Sequence, residues 1–380
     1  MTSADLAAHV VDTEIVGAVE RFCRETLAPA AAEIDRTGRS AVMHREALAQ
    51  IGFMGLNLPE PWGIGLPATQ LFEAVAHLAG ACGSTASMVT AHWLATDSIL
   101  IGGDAAQHER WLPGAASGEL LGAFALTEPG AGSNPAEMTT MAVPVEGGYR
   151  IRGTKHFISN AGDADFIVVY AKTDPAAGAR GISAFVLDRN MPGLSIAPPE
   201  RTMGLRGGHV FEISLDCEVS ADRRLGAPGS GFRTAMKVLD AGRVEIAACA
   251  VGIAEAAMSA AVDWARQRHV GGAPIAELQG IQWKIADMAV DVAAARALGL
   301  EAARAREAGR RYSREASIAK LFASEMVARV TDEALQIHGG YGFCTNLPLE
   351  RYVRDCRIFR IYEGSSEVQR NIIARQILTA

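Results

Sequence analysis

No CxxC pair occurs in the sequence. Its six cysteines (Cys23, Cys82, Cys217, Cys249, Cys344 and Cys356) are scattered, so neither a zinc ribbon nor a disulfide framework is indicated, and reduced, buried thiols in a cytoplasm are expected. A dense Lys/Arg block is also missing, and the formal net charge is −7, which argues against a nucleic-acid partner. Met1-Thr2-Ser3-Ala4-Asp5 lacks a basic segment followed by an apolar core, so no signal peptide is expected. The longest apolar run, Ile246 to Ala254, lies between Glu245 and Glu255 and is too short to cross a bilayer. A soluble chain with no membrane partner follows. His77, His92 and His108 are spread out and read as packing or surface groups, so no metal site is expected. Aromatics are few, at 6%, while 49% of residues are apolar and alanine is abundant. That composition suits closely packed helices and does not suit disorder.

What is present divides in three. A chain of 380 residues is too long for one simple core, so two or three domains are expected. Residues 1–120 read as helices: Ile15, Val19, Phe22 and Cys23 share one face, and further helices run over 44–54, 67–80, 84–101 and from 107 to 112. The run from Asn57 to Gly63, with Pro59, Pro61 and Gly63, interrupts them. Residues 121–231 read as strands. Phe166 to Tyr170 and Ile182 to Leu187 are buried runs, and Phe211, Ile213 and Leu215 alternate with Glu212 and Ser214. Short strands with Gly/Pro turns and no intervening helices imply an antiparallel barrel or sandwich. Residues 232–380 are helical again, with long elements over about 232–268, around Ile281, Ile285, Met288 and Val292, over 313–337, and after Glu363. Four long helices with short links make an antiparallel bundle.

Four stretches could carry chemistry. Tyr362-Glu363-Gly364 falls in a break before a helix that Ser365 or Ser366 can cap, with Glu367 in its first turn. A carboxylate at such a break can serve as a base, although a solvated Glu at a helix start has the same local features. Leu126-Thr127-Glu128-Pro129-Gly130-Ala131-Gly132-Ser133-Asn134 offers backbone N–H groups and two hydroxyls to a heterocycle or thioester. A plain Pro-Gly turn is its structural alternative. Phe157 and Ser159, two apart on a strand, face the same side. They can cover a flavin face and bond its edge, or belong to an ordinary strand. Gln336-Ile337-His338-Gly339-Gly340 ends a helix, where glycine supplies a left-handed cap or permits close approach to a pyrophosphate or a neighbouring subunit.

Together with Met203-Gly204-Leu205-Arg206-Gly207, Leu239-Asp240-Ala241-Gly242-Arg243, Gln279-Gly280-Ile281-Gln282 and Ala286-Asp287-Met288, these stretches resemble the acyl-CoA dehydrogenase family, in its short-chain and branched-chain bacterial branch. The resemblance spans essentially the whole chain in order. It implies an α+β multidomain fold with an N-terminal helical domain (1–120), a central antiparallel β-barrel (121–231) and a C-terminal four-helix bundle (232–380). It implies FAD between barrel and bundle, completed by a neighbouring subunit in a homotetramer built as a dimer of dimers. Phe124, Leu126, Thr127, Gly132 and Ser133 would line the flavin and the thioester, and Phe157 and Ser159 would cover the flavin where Trp and Thr are usual. Arg268, Gln336, Gly339 and Gly340 would reach the partner's FAD, with Ser365 and Glu367 near the cofactor. Ser133, Asp240, Arg243, Tyr362 and Gly364 would serve the substrate. Glu363 matches the catalytic base. Other family members place the base one residue before Arg243, where this chain has Gly242. The implied reaction takes an acyl-CoA to a trans-2-enoyl-CoA: Glu363 removes the α-proton, the β-hydride goes to the flavin, and an electron-transfer flavoprotein accepts the electrons.

The chain departs from the family pattern in places. Val270 and Gly271 replace a usual Gln and Phe, which implies weaker packing on FAD. Gly208-His209-Val210 replaces a Ser/Thr-rich trio, and Asn134 a common Asp. These changes leave room for an acyl group on an acyl carrier protein as substrate. Alternatives on the same fold are a flavin oxidase or monooxygenase, and, from another class, a helical scaffold without a cofactor.

Overall fold

The computed structural model describes residues 14–379; the N-terminal stretch in which no signal peptide is expected lies outside them. The chain starts as one rod, α1 (residues 14–22), a π turn (Cys23–Leu27) and α2 (Ala28–Thr37). Val19, Cys23, Leu27, Ala31 and Ile34 are its buried residues. A step of four overshoots the 3.6-residue α turn, and the looser π turn absorbs the excess, which keeps Cys23 and Leu27 on one face. After α3 (Arg45–Gln50) come α4 (Ala68–Ala81), α5 (Gly83–Gly102) and α6 (Ala105–Ala116). Every residue of α5 from Ser84 to Ile99 is buried. Its polar side chains are therefore tied off locally: Ser98 bonds the Leu94 carbonyl and the Tyr170 hydroxyl, and His92 stands between the Gly122 N–H and the Ala115 carbonyl. This buried helix is the spine against which the strands and the C-terminal helices pack.

The strands are β1 (Gly122–Ala125), β2 (Met141–Val145), β3 (Gly148–Ser159), β4 (Phe166–Lys172), β5 (Ile182–Asp188), β6 (Leu194–Ile196), β7 (Val210–Ser220) and β8 (Arg224–Leu225). They form one sheet in the order β6-β7-β3-β2-β4-β5-β8, with β1 also on β4. The expected barrel closure is not formed among the described residues: no ladder joins β6 to β8. The pairings are antiparallel except for β1 and β2, which both run parallel along the same neighbour, β4. β1 and β2 thus act as one interrupted strand, and the interruption is the glycine-rich loop of residues 126–140. Successive β4 residues face two cores. Phe166, Val168 and Tyr170 pack toward the helices, and Ile167, Val169 and Ala171 pack inside the sheet domain. That is why residues 166–170 read as a continuous apolar run and not as an alternation.

The C-terminal bundle is α7 (Gly231–Gln267), α8 (Gln279–Glu307), α9 (Ser313–His338), α10 (Leu349–Cys356) and α11 (Ser366–Leu378). Helix α7 is long and apolar enough to cross a membrane, yet 72% of its apolar window is buried in protein, as befits a core helix. A two-stranded hairpin, β9 (His269–Val270) and β10 (Ala273–Pro274), follows it. The two turn residues, Gly271 and Gly272, sit at φ 64° and 91°, the left-handed region that two-residue hairpins demand. Glycine at 271, unexpected from the family pattern, thus answers a backbone requirement. Gly339 ends α9 at φ 58° and ψ −137°, so it uses glycine's freedom without the expected left-handed helical cap.

Candidate active site

A cleft opens where α5, the 126–140 loop, β3, α7 and the segment before α11 converge. From α5 come Ser87, Thr90, Ala91 and Leu94, at helical spacing on one face. The loop supplies Leu126, Thr127, Gly132, Ser133 and Pro135, and β1 supplies Phe124. Met236, Leu239 and Arg243 come from α7, and Tyr362, Glu363 and Gly364 close the far side.

The loop is stapled at its base. The Lys155 ammonium, fully buried, donates to a Glu128 carboxylate oxygen at 2.8 Å and to the Leu126 carbonyl at 3.1 Å. Glu128 also accepts from Thr139 N–H at 2.6 Å and Thr140 N–H at 3.0 Å. Both ends of the loop therefore close on one carboxylate. Burial pushes that carboxyl up, but the Lys155 charge and the hydrogen bonds outweigh burial and hold it down at about 2. With its ends fixed, the middle of the loop faces the cleft through Gly132, Ser133 and Pro135.

On β3 the expected alternation is broken. The β3–β7 register shifts between Lys155 and Ile158, and Phe157 sits at φ 59°. This is a β-bulge, which re-aims a side chain. Phe157 is 61% exposed and stacks on His156 at 4.1 Å. Phe157 and Ser159 both line the cleft, but by way of the bulge.

Glu363 lies between a 3-10 turn (Arg357–Arg360) and α11, which Ser365 caps by accepting from Val368 N–H. It holds φ 52°, and Gly364 follows at φ 92°. A positive φ at a non-glycine residue persists only when surrounding contacts enforce it. Here the Glu363 carbonyl accepts from Gln369 at 3.1 Å and from Arg243 at 3.4 Å, and the Gly364 carbonyl accepts from Lys320 at 2.6 Å. The carboxylate oxygen Oε2 is buried and has no hydrogen-bond partner. Burial pushes the carboxyl up to about 7, against the opposing charges of Lys320 and Arg243. A Cβ on Gly242 would stand 2.3 Å from Oε2, so this carboxylate occupies the space a side chain at 242 would need.

Of the residues proposed from sequence, the cleft brings together Phe124, Leu126, Thr127, Gly132, Ser133, Phe157, Ser159, Arg243, Tyr362, Glu363 and Gly364. Asp240 does not line it. Its carboxylate holds Arg243 at 2.6 Å and bonds Ser313. Arg268, Gly339 and Gly340 line a separate surface hollow with Tyr341, and Gln336 is exposed beside it. Ser365 and Glu367 belong to the start of α11. Sequence reasoning missed Lys320 and Gln369, both fully buried. A lone cation inside the otherwise uncharged run Ser317 to Ser324 was the one available signal. It also missed the α5 face of Ser87, Thr90, Ala91 and Leu94, which nothing sets apart in a helix buried on every side. Among the described residues no three His, Cys, Asp or Glu side chains stand together as metal ligands.

Comparison with known proteins gives a consistent picture. Models of the acyl-CoA dehydrogenase N-terminal, middle and C-terminal domains match residues 12–119, 123–217 and 229–378. The chain is 41% identical to an acryloyl-CoA reductase (NADH) of Anaerotignum propionicum over 94% of its own length and 92% of that protein. It is 39% identical to an acyl-CoA dehydrogenase of Bacillus subtilis (strain 168), covering 97% and 99% of the two chains. The solved structure of butyryl-CoA dehydrogenase from Megasphaera elsdenii superposes with a TM-score of 0.95 at 36% identity, over 97% of this chain and 98% of that one.

Proposed function

The chain belongs to the acyl-CoA dehydrogenase family, and on that premise we propose that it removes hydrogen across the α,β bond of an acyl-CoA with Glu363 as the base. It is a flavoprotein oxidoreductase of that family. The observation that carries the base assignment is the unpartnered, buried Oε2 of Glu363 at the cleft. A carboxylate oxygen removed from water and left without a hydrogen bond is a stronger base than a solvated one.

The residues present fit FAD. A Cβ on Gly132 would meet nothing closer than Thr127 Cγ2 at 4.0 Å, and the hydroxyls of Thr127, Ser133 and Ser159 are bonded to no protein group among the described residues. In this reading Leu126, Thr127, Gly132 and Ser133 hold the flavin on one side, and Phe157 with Ser159 covers it. Bound FAD supplies the acceptor for the β-hydride. The protein's own part is the proton. Glu363 takes the α-proton at Oε2, and the negative charge left on the thioester oxygen needs a donor. The Glu363 N–H forms no hydrogen bond among the described residues and is available for that role. Arg243 and Tyr362 border the thioester end, and Thr90, Ala91, Leu94 and Leu239 border the acyl chain.

The same reading extends to the assembly. Arg268, Gln336, Gly339 and Gly340 lie on an exposed face away from the cleft and would serve a neighbouring subunit's FAD in a tetramer. An electron-transfer flavoprotein would accept the electrons in the cytoplasm, in fatty acid metabolism. Glu363→Gln tests the centre of the proposal. The variant should retain FAD and lose bleaching of the flavin by acyl-CoA in the absence of oxygen; bleaching at the normal rate refutes the base. Wild-type flavin bleached without oxygen should stay bleached in air, and rapid recolouring would instead indicate an oxidase.

A further inference from the structure

The backbone around Glu363 is held by three buried donors on three helices. Lys320 (α9) and Gln369 (α11) are fully buried and Arg243 (α7) is 5% exposed. Gln369 spans the kink, reaching the Glu363 carbonyl at 3.1 Å and the Gly364 carbonyl at 3.0 Å. Lys320 reaches only the Gly364 carbonyl, at 2.6 Å. Among the described residues no carboxylate lies within ion-pair distance of its ammonium. An ammonium removed from water needs a compensating negative charge. Three carboxylates act on it, Glu363, Glu325 and Glu367, and of these Glu363 has the largest effect.

We infer that Lys320 is a positioning residue for the base: its ammonium pins the Gly364 carbonyl and keeps the Glu363 carboxylate charged while the cleft excludes water. The inference rests on the assignment of Glu363 as base. The electrostatics agree with the geometry. Burial pushes Lys320 down to about 8, and Glu363 is the largest charge opposing that fall. For Glu363, in turn, Lys320 is the largest charge opposing burial, followed by Arg243. The other titratable groups facing Glu363 are Glu245 and Cys249 of α7 and the adjacent Tyr362. Glu245 is buried with neither oxygen hydrogen-bonded and the Arg306 guanidinium 3.8 Å from one of them, and burial and Asp97 raise it well above the usual carboxylate range. Lys320 and Arg243 are therefore the cations that set the charge of the base, and Arg243 already spends itself on Asp240 at 2.6 Å.

The test uses FAD-loaded protein and follows flavin bleaching by butyryl-CoA without oxygen, as a second-order rate against pH, in wild type, Lys320→Met, Lys320→Arg and Glu363→Gln. The wild-type rate should rise with pH through a midpoint near 7, set by Glu363. Lys320→Met should move that midpoint upward by about one pH unit or more, which at the acid side is about a tenfold loss of rate. Lys320→Arg should bring the midpoint back toward wild type. If Lys320→Met fails to hold FAD, Lys320→Gln supplies the same reading with a neutral donor of similar length. A Met or Gln variant that holds FAD and keeps the wild-type midpoint, even with lowered thermal stability, makes Lys320 purely structural and overturns the inference. Glu363→Gln separates the two levels. Bleaching by that variant removes the base and the inference with it, whereas a silent Glu363→Gln beside an unmoved Lys320→Met midpoint removes the inference alone.

Discussion

Gly242→Ala is the sharpest steric test of where the proposed base, Glu363, stands. The added Cβ would lie 2.3 Å from Glu363 Oε2 and 3.0 Å from its Cδ, with Leu94 Cδ2 at 2.9 Å. The Leu94 methyl is the end of a flexible side chain and can swing away. The carboxylate cannot retreat as freely, because its backbone is held on both carbonyls. Restoring ordinary contact requires Oε2 to shift by about 1 Å, and a misplacement of that size costs on the order of 100-fold in rate when geometry governs the step. Overpacking itself should cost about 1–3 kcal/mol of stability, too little to unfold a chain of this size. The assay is anaerobic stopped-flow bleaching by an acyl-CoA, with FAD content and thermal unfolding measured on the same sample. A Gly242→Ala protein that holds FAD and bleaches near the wild-type rate would show that the carboxylate does not occupy this position during turnover.

Two further outcomes follow from the charges. The folded Glu363 carboxyl is raised from 4.5 to about 7, so its protonation stabilises the fold. That contribution is whole below about pH 4.5 and is lost as pH rises through about 7. Glu363→Gln stays neutral throughout, so it should melt higher than wild type near pH 8, with the margin closing on acidification; equal melting temperatures at both extremes would contradict the assigned burial. Lys155→Met strands Glu128 among backbone N–H groups without its cation. Breaking a buried pair in this way costs about 3–5 kcal/mol, so the melting temperature should fall and the 126–140 loop should release FAD on gel filtration. Unchanged stability would show that the staple is dispensable.

The fold was legible wherever periodicity carried it. The apolar stripe of α8, the run of β4 and the helix after Ser365 all emerged in the expected places. Several features were not legible, each for a physical reason. The Phe157 bulge exists because β3 must pair with β7 while bonding the 126–140 loop through His156 N–H and Thr127 O, and no local pattern reports a two-partner strand. The Glu128–Lys155 staple joins residues 27 apart, and the Lys320–Gly364 bond joins residues 44 apart; only the packed structure brings either pair together. Closure of the sheet into a barrel is a property of its edges, β6 and β8, which are three and two residues long and too short to leave a signal. The cleft itself was legible from Phe124 to Gly364 because its residues cluster in short motifs. Its α5 wall was not, since a fully buried helix shows no polar face to read against.

The local energetics of Glu363 explain why the break before α11 has this form. A base strong enough to reach an α-proton must be desolvated, and desolvation alone would leave the carboxyl protonated and useless in the resting enzyme. Cations beside it correct that, but a direct ion pair on Oε2 would neutralise the very oxygen that reacts. The structure avoids this by separating the two tasks. Lys320, Gln369 and Arg243 bond the backbone carbonyls of Glu363 and Gly364, not the carboxylate, and only the charges of Lys320 and Arg243 are felt at Oε2. Such an arrangement needs both carbonyls turned toward the bundle core, which the positive φ at 363 and 364 provides. The glycine at 364 accommodates its share at little cost. At Glu363 the same conformation costs about 1–2 kcal/mol, offset by charge-assisted bonds of roughly 1.5–3 kcal/mol each. Backbone strain, buried cation and free carboxylate oxygen are thus parts of one solution to keeping a carboxylate both ionised and unbonded.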